Sequence, residues 1–487
     1  MSTTAKISLP NLLRIQGVLL LIEGLFMMTV LPVTYFHHGI NVFSMPFSAL
    51  ITTLTGFILV FSTRRRKGQR LNFREGVITI SLSWVMLSLF GGLPFLLSKS
   101  VPNFTDAFFE ALSGFTTTGA STLTRIEAVP KDILLWRSMT QWLGGLAVIV
   151  FAVALLPFLS AGGMQLFVAE MNGINYDKLH PRIMHTVKRL WGLYLFFTLL
   201  EIILLQRGDM DWFDSVCHSL TTISSGGLST RTSSLADYSS YSQIVVTLFM
   251  ALSGCNFTLL LITILRNPLA LIRNEEFKHF LIMLLTLSIL LALILIFAVK
   301  LTISNALRAS FFSVMSAVTT TGFFVCDYTL WPTALWVLLL LPMFIGACSG
   351  STAGGIKIIR HLIFIKNSFL ELKRIIHPNA VIPVKINKKS VSKSVIFKTM
   401  TFVFVYVLVF IIGVILLLGL GVDFNTSVGA SIATLSNIGT SIGNVGPFGT
   451  YAYLPMAAKW LLAVFMLLGR VELYTFITLF SRNFWKG

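Results

Sequence analysis

Four segments of this chain are too short to cross a bilayer, and each runs into a polar turn that carries glycine. The turns read Phe115-Thr116-Thr117-Thr118-Gly119, Ile223-Ser224-Ser225-Gly226-Gly227, Val318-Thr319-Thr320-Thr321-Gly322 and Leu435-Ser436-Asn437-Ile438-Gly439. Their last glycines fall 108, 95 and 117 residues apart. The segments before them, residues 106–115, 214–223, 309–318 and 426–435, hold ten residues each. Ten helical residues rise only about 15 Å, half the hydrocarbon thickness, so such a segment enters a membrane and turns back. Irregular backbone at that depth is tolerated only where protein or water satisfies its polar groups. Four copies therefore predict one shared aqueous path, lined by a fourfold ring of backbone carbonyls that can replace the water around a monovalent cation.

The remaining sequence supplies a scaffold for such a ring. Apolar residues make up 55% of the chain and charged ones 11%, with a mean hydropathy of +0.83, which is the composition of a polytopic membrane protein. Apolar runs long enough to be spans cover residues 12–34, 42–62, 76–97, 133–158, 185–206, 242–265, 279–299, 333–347, 395–420 and 456–480. The first two form a hairpin, and the others pair around the short segments as outer helix, half-helix, polar loop and inner helix. The predicted fold is all-α, with four pseudo-symmetric helix–pore-loop–helix repeats around a central pore. The expected divisions are an N-terminal hairpin (1–72) and repeats at 73–172, 173–275, 276–378 and 379–487.

The net charge of +18 would suit nucleic acid, but its distribution does not. Basic residues gather in short loops: Arg64-Arg65-Arg66-Lys67 with Arg70 and Arg74; Lys178, Arg182, Lys188 and Arg189; Arg266, Arg273 and Lys278; and Lys357 through Lys398. These alternate with less basic loops, as the positive-inside rule requires. Both termini, including Arg482 and Lys486, are thus expected in the cytoplasm, and the half-helices are expected to enter from outside. Lys6 and Arg14 precede a first apolar run without a small-residue cleavage site, which reads as a retained helix. Cys217, Cys255, Cys326 and Cys348 show no paired spacing and read as small buried residues. No metal-ligand or catalytic pattern is present, so neither an enzyme nor an organic cofactor is expected.

Each half-helix would aim the partial negative charge of its C-terminus inward, which favours a cation there. No Asp or Glu lies within the four turns, so carbonyls are the expected selectors, with the hydroxyls of Thr116, Thr117, Thr118 and their counterparts as further oxygens. The filter residues expected are Thr116–Gly119, Ser224–Gly227, Thr319–Gly322 and Asn437–Gly439, with the ion at Thr117, Thr118, Ser225, Gly226, Thr320, Thr321, Asn437 and Ile438. Gly443 is an alternative register for the fourth turn. Asp106 and Asp214 are expected to cap two half-helices, or to draw cations to the mouth.

Below the third turn the inner helix meets Gly346-Ala347-Cys348-Ser349-Gly350-Ser351-Thr352-Ala353-Gly354-Gly355, then Ile356-Lys357. Each glycine costs a helix up to about 1 kcal/mol relative to Ala. This stretch reads as a flexible gate or as a close crossing of small residues. It does not read as a phosphate loop, because Ile356 separates Gly355 from Lys357 and no Ser or Thr follows the lysine. In the last span, Arg470 costs about 2.5–3.5 kcal/mol unless paired or facing water. It either faces the pore and limits cation flow or makes a salt bridge between repeats. Glu472, two residues on, is on another helical face.

The layout and these turns resemble the Trk/Ktr/HKT superfamily of potassium-translocating subunits, and the extra N-terminal hairpin resembles its bacterial TrkH/TrkG branch. The resemblance covers nearly the whole chain. It implies K+ as the transported ion and one filter glycine per repeat, at Gly119, Gly227, Gly322 and Gly439. In plant relatives, serine at the first of these goes with sodium preference, so Gly119 points to potassium. The resemblance also implies an intramembrane gate at Gly346, Gly350, Ser351, Thr352, Ala353, Gly354, Gly355 and Lys357, with a barrier arginine at Arg470. It further implies a homodimer in the bacterial inner membrane and a cytosolic, nucleotide-binding TrkA-type partner. Channel and proton-coupled symport both remain open. The alternatives are an alternating-access, ion-coupled secondary transporter and a less selective K+/Na+ pore.

Overall fold

The long apolar runs fold into helices that surround four short ones. The computed structural model describes residues 8–36, 42–63, 72–155, 179–380, 382–471 and 473–486. Lys6, the cluster Arg64-Arg65-Arg66-Lys67 with Arg70, residues 156–172, Lys178 and Glu472 lie outside the described residues. Among those described, Leu9–Phe36, Ser44–Thr63, Arg74–Leu97, Glu275–Ala298 and Lys393–Gly419 are long and apolar enough to cross a membrane. Side chains such as Phe57, Leu248, Ile282, Phe404 and Ile415 are exposed on the outer faces of these and the other long helices. In water that belt would be costly, whereas against lipid tails it is the expected surface. The chain is a multi-pass membrane protein.

The first two helices touch through glycine. A Cβ at Gly17 would lie 2.9 Å from the Gly56 carbonyl oxygen, and one at Gly56 would lie 2.8 Å from that of Gly17. Only small residues allow backbones this close, and lipid gives helices no hydrophobic reason to pair otherwise. Gln16 then docks the hairpin, donating from Nε2 to Thr79 O at 3.0 Å on the helix Phe73–Gly91.

The four short helices are Phe104–Phe115, Trp212–Ile223, Ile303–Val318 and Phe424–Leu435, here called the pore helices. They begin earlier than the sequence suggested, which corrects the roles of two carboxylates. Asn103 and Asp211 are the caps, accepting from Asp106 N at 2.9 Å and Asp214 N at 2.7 Å. Asp106 and Asp214 sit one turn inside, where a carboxylate still favours the positive helix end. Both are neutralised there, Asp106 by Lys459 at 2.6 Å and Asp214 by Arg231 at 3.2 Å. Asp106 is buried with its lysine, so it is not a lure for cations.

Two further expectations change. The run 242–265 is not one helix but two, Ser240–Ser253 and Phe257–Leu265, bent by 98°. Gly254 weakens the run, and Asn256 starts a new helix by accepting from Leu259 N at 2.9 Å. The stretch from Lys357 to Lys398 is not a loop: it forms the helix Ile358–Ile376 and a two-stranded hairpin, Lys385–Ile386 with Lys389–Ser390. Of the cysteines, Cys217, Cys255 and Cys348 are buried and Cys326 is half-buried; all four are free thiols.

Candidate ion pore

Each pore helix stops in the same way. Thr117, Ser225, Thr320 and Asn437 have φ of 51°, 56°, 52° and 55°. The next amide reaches back five residues in every case: Thr118 N to Ser113 O at 2.8 Å, Gly226 N to Thr221 O at 2.8 Å, Thr321 N to Ser316 O at 2.9 Å and Ile438 N to Ala433 O at 2.7 Å. This is a Schellman stop with a side chain at the left-handed position that glycine usually takes. Such a residue costs on the order of 1–3 kcal/mol, and here it costs that four times over.

Two residues further, Gly119, Gly227, Gly322 and Gly439 have φ of 80°, 73°, 85° and 88°. Their missing side chains define a closed ring. A Cβ on Gly119 would sit 2.2 Å from Gly226 O, on Gly227 1.9 Å from Thr321 O, on Gly322 1.9 Å from Ile438 O, and on Gly439 2.4 Å from Thr118 O. Each turn thus packs its glycine on the carbonyl of the next, in chain order, and the fourth closes on the first. Gly439 shares this geometry. Gly443 instead opens a short turn against the pore helix, where a Cβ would meet Thr426 N at 2.6 Å.

Several hydroxyls expected at the axis are used elsewhere. Thr116, Ser224 and Thr319 donate to Leu112 O, Leu220 O and Met315 O at 2.6–2.8 Å, because the last carbonyls of a helix need partners. The left-handed residues point to neighbouring elements. Ser225 Oγ lies 2.8 Å from Thr352 Oγ1, Thr320 Oγ1 accepts from Gly354 N at 2.6 Å, and Asn437 Nδ2 donates to Thr118 Oγ1 at 2.9 Å. Thr117 Oγ1 has no hydrogen-bond partner among the described residues.

The glycine-rich stretch after Thr333–Phe344 is an ordered loop pressed against this ring. Its base is closed by Gly346 N to Ile356 O at 2.9 Å and Ile356 N to Phe344 O at 3.2 Å. Gly350 and Gly355 take φ of 71° and 67°. Ser351 donates to Cys348 O at 2.6 Å, and Lys357 Nζ reaches Ala353 O. Through Thr352 the loop touches the second turn and through Gly354 N the third. A Cβ on Gly354 would lie 2.2 Å from Ser436 O of the fourth. The break in the second inner helix faces the same loop: Cys348 N donates to Gly254 O at 3.1 Å and Phe257 N to Gly350 O at 3.2 Å. Each break therefore satisfies backbone groups that the other leaves open.

Arg470 joins this assembly from Met456–Val471. Its Nη1 donates to Thr352 O at 2.9 Å, while Nε and Nη2 have no hydrogen-bond partner among the described residues. It makes no ion pair among the described residues, so the salt-bridge alternative is not what they form.

Sequence reasoning missed the groups that brace the ring. Tyr451 OH donates to Gly439 O at 2.7 Å, Thr440 Oγ1 to Gly322 O at 2.7 Å, and Gln141 Nε2 to Gly226 O at 2.6 Å. Glu110 on the first pore helix is buried against Arg137 at 2.6 Å and accepts from Thr122 N at 2.9 Å, while Arg137 Nη1 donates to Ser229 O at 2.9 Å. This pair ties the strands leaving the first two turns. Removing one member of a buried pair leaves the other charge uncompensated, so Arg137→Met is expected to cost about 3–5 kcal/mol. A thermal melt of the detergent-solubilised protein checks this; an unchanged midpoint would refute it. On the face where the pore helices begin, Glu127 accepts from Thr232 N at 2.6 Å and Thr232 Oγ1 at 2.7 Å. Partial burial raises its carboxyl, but these hydrogen bonds outweigh that and hold it below the usual carboxylate range.

Known proteins share this whole architecture. The family model for TrkH, described as a cation transport protein, matches residues 46–486. The Trk system potassium uptake protein TrkH of Salmonella typhimurium is 39% identical over 437 residues, covering 88% of this chain and 90% of that protein. TrkH of Halomonas elongata is 36% identical over 488 residues, covering 98% and 100%. TrkG of Escherichia coli is 35% identical over 429 residues, covering 87% and 88%. The crystal structure of the potassium transporter TrkH from Vibrio parahaemolyticus aligns with a TM-score of 0.90 at 32% identity, covering 98% of this chain and 99% of that one. With a family match across most of its length and relatives of this identity over nearly all of it, the chain belongs to the TrkH family of cation transport proteins, a family of transporters and not of enzymes.

Proposed function

We propose that this chain is the potassium-translocating membrane subunit of a Trk-type uptake system in the bacterial inner membrane. The observation that carries the reading is the cyclic packing of the four turns, each glycine against the next turn's carbonyl. In this reading, the carbonyls of Thr117, Ser225, Thr320 and Asn437, and those of Thr118, Gly226, Thr321 and Ile438, make up two successive rings of four oxygens. Rings of this kind replace the hydration shell of a dehydrated cation. The four pore-helix C-termini add partial negative charge from four sides.

The loop Gly346–Lys357 is the gate in this reading, and Arg470 is its latch. The loop's contacts with three turns support a closed position directly beneath the filter. In this reading the chain divides into four repeats, 73–172, 173–275, 276–378 and 379–487, and the turn geometry common to all four supports the fourfold plan. The pore helices enter from outside and both termini lie in the cytoplasm. A cytosolic nucleotide-binding TrkA-type ring and a second copy of the chain complete the system, in keeping with the Trk system names of the relatives.

The second break, at Gly254–Asn256, is the feature that favours the rival reading of an alternating-access transporter. One experiment separates the readings: the reversal potential of the purified chain in planar bilayers under opposing K+ and Na+ gradients. The expected value lies near the K+ equilibrium potential. A value near zero would remove the selectivity, and uptake without current would favour the transporter.

A further inference from the structure

The position before the filter glycine is not equivalent in the four turns. Thr118 and Thr321 fill it in the first and third, and their hydroxyls lie 2.8 Å from those of Thr116 and Thr319. The second turn has Gly226 there and no side chain at all. The space is taken by another residue: a Cβ on Gly226 would fall 2.3 Å from Gln141 Cδ, 2.4 Å from its Oε1 and 2.6 Å from its Nε2.

Gln141 comes from the helix Lys131–Leu155, beyond the first turn, and is fully buried. Both ends of its amide are engaged, with Nε2 donating to Gly226 O at 2.6 Å and Oε1 accepting from Leu228 N at 3.1 Å. The reverse orientation would set donor against donor and acceptor against acceptor, so the two partners fix the amide. Gln141 therefore clamps the backbone on both sides of Gly227. It also stands at the seam between turns, because a Cβ on Gly119 would lie 3.6 Å from its Nε2 and 2.2 Å from Gly226 O.

We propose that Gln141 is a specificity-determining positioning residue for cation passage, standing in for the side chain that the second turn lacks. The proposal rests on the reading of the ring as a potassium filter. Two physical effects act in the same direction. A carbonyl held by a buried donor is less free to move inward, so the ring resists shrinking onto Na+. The donor also draws on the oxygen's lone pairs and lowers its field at the axis, which favours the larger, more weakly hydrated K+. A buried glutamine amide is costly unless it is hydrogen-bonded, and here the backbone of the second turn satisfies it.

The test measures reversal potentials of the reconstituted full chain under opposing K+ and Na+ gradients, for the wild type and four variants. Gln141→Ala is expected to lower the K+/Na+ permeability ratio about tenfold, equivalent to about 1.4 kcal/mol. Gln141→Met keeps most of the volume but has no donor, and is expected to fall in the same direction; it carries the test if Gln141→Ala does not fold. Gly226→Thr alone forces a side chain onto Gln141 and is expected to impair conduction. Gln141→Ala/Gly226→Thr gives the second turn the residue of the first and third, and is expected to recover most of the ratio. A wild-type ratio in Gln141→Ala, or in Gln141→Met where that variant stands in for it, overturns the proposal, as does a double variant no better than Gln141→Ala. A wild type that does not discriminate overturns the filter reading itself, which is a distinct result.

Discussion

Gly227→Ala is expected to abolish selective potassium passage by a chain that still folds and inserts. The added Cβ would lie 1.9 Å from Thr321 O, 2.8 Å from Thr321 C and 3.2 Å from Gly322 C, all of them backbone. No rotamer change relieves such a contact; the third turn has to move. The residue would also be held at a φ of 73°, which alanine resists, adding on the order of 1–3 kcal/mol of strain. The displaced Thr321 carbonyl belongs to the second of the two proposed rings, so the damage falls on the proposed ion path. The expected result is K+ uptake lower by about 100-fold, equivalent to a barrier higher by about 2.7 kcal/mol, with any residual current showing no preference between K+ and Na+. Gly192→Ala is the control, since a Cβ there meets nothing within 4 Å. Potassium uptake in cells lacking other uptake routes, read beside membrane abundance, decides the matter. Wild-type uptake by Gly227→Ala at equal abundance would exclude the ring as the path.

The four turns were legible because their signal is composition plus length. A ten-residue segment that ends in hydroxyl residues and glycine has few other uses in a membrane, and that signal marks the four turns. The register of the fourth, Gly439 or Gly443, stays open in the sequence, and only the backbone geometry sets Gly439 beside the other three. Chemistry that depends on distant pairing was not legible. Asp106 and Lys459 are 353 positions apart, and nothing in either neighbourhood announces the other. Without its lysine, Asp106 reads as a cap or a lure, and Asn103, the true cap, looks like loop. The break at Gly254 was hidden for a different reason. The run 242–265 has the length of a span, and one glycine and one asparagine do not outweigh that. The break becomes necessary only beside the loop of the third inner helix, whose Cys348 N and Gly350 O take up its open backbone groups. Gln141 was passed over because an amide beside Arg137, Ser138 and Thr140 carries no pattern of its own; its meaning lies in Gly226, on a different turn. Sequence periodicity thus yields the common plan of the turns, while the departures from that plan appear only once the turns are packed together.

Arg470→Ala is expected to raise cation flux, because in the proposed gate Arg470 would hold the loop shut in two ways. Its guanidinium donates to Thr352 O at 2.9 Å, and Thr352 is the loop residue whose hydroxyl lies against Ser225 of the second turn. A hydrogen bond from a charged group contributes about 1.5–3 kcal/mol. Losing that much from the closed position alone shifts the open-to-closed ratio by about 10–100-fold. The arginine also puts a positive charge beneath the proposed filter, and two of its nitrogens have no hydrogen-bond partner among the described residues. Arg470→Lys separates the two effects. Lysine keeps the charge but offers a single flexible point donor in place of a planar fork. If the tether dominates, the lysine variant leaks nearly as much as the alanine variant; if the charge dominates, it stays close to wild type. Flux of K+ into liposomes containing each purified variant, without any partner protein, gives the answer. Equal flux in wild type and Arg470→Ala would remove Arg470 from the barrier and leave the loop's contacts with Ser225, Thr320 and Ser436 to hold the gate by themselves.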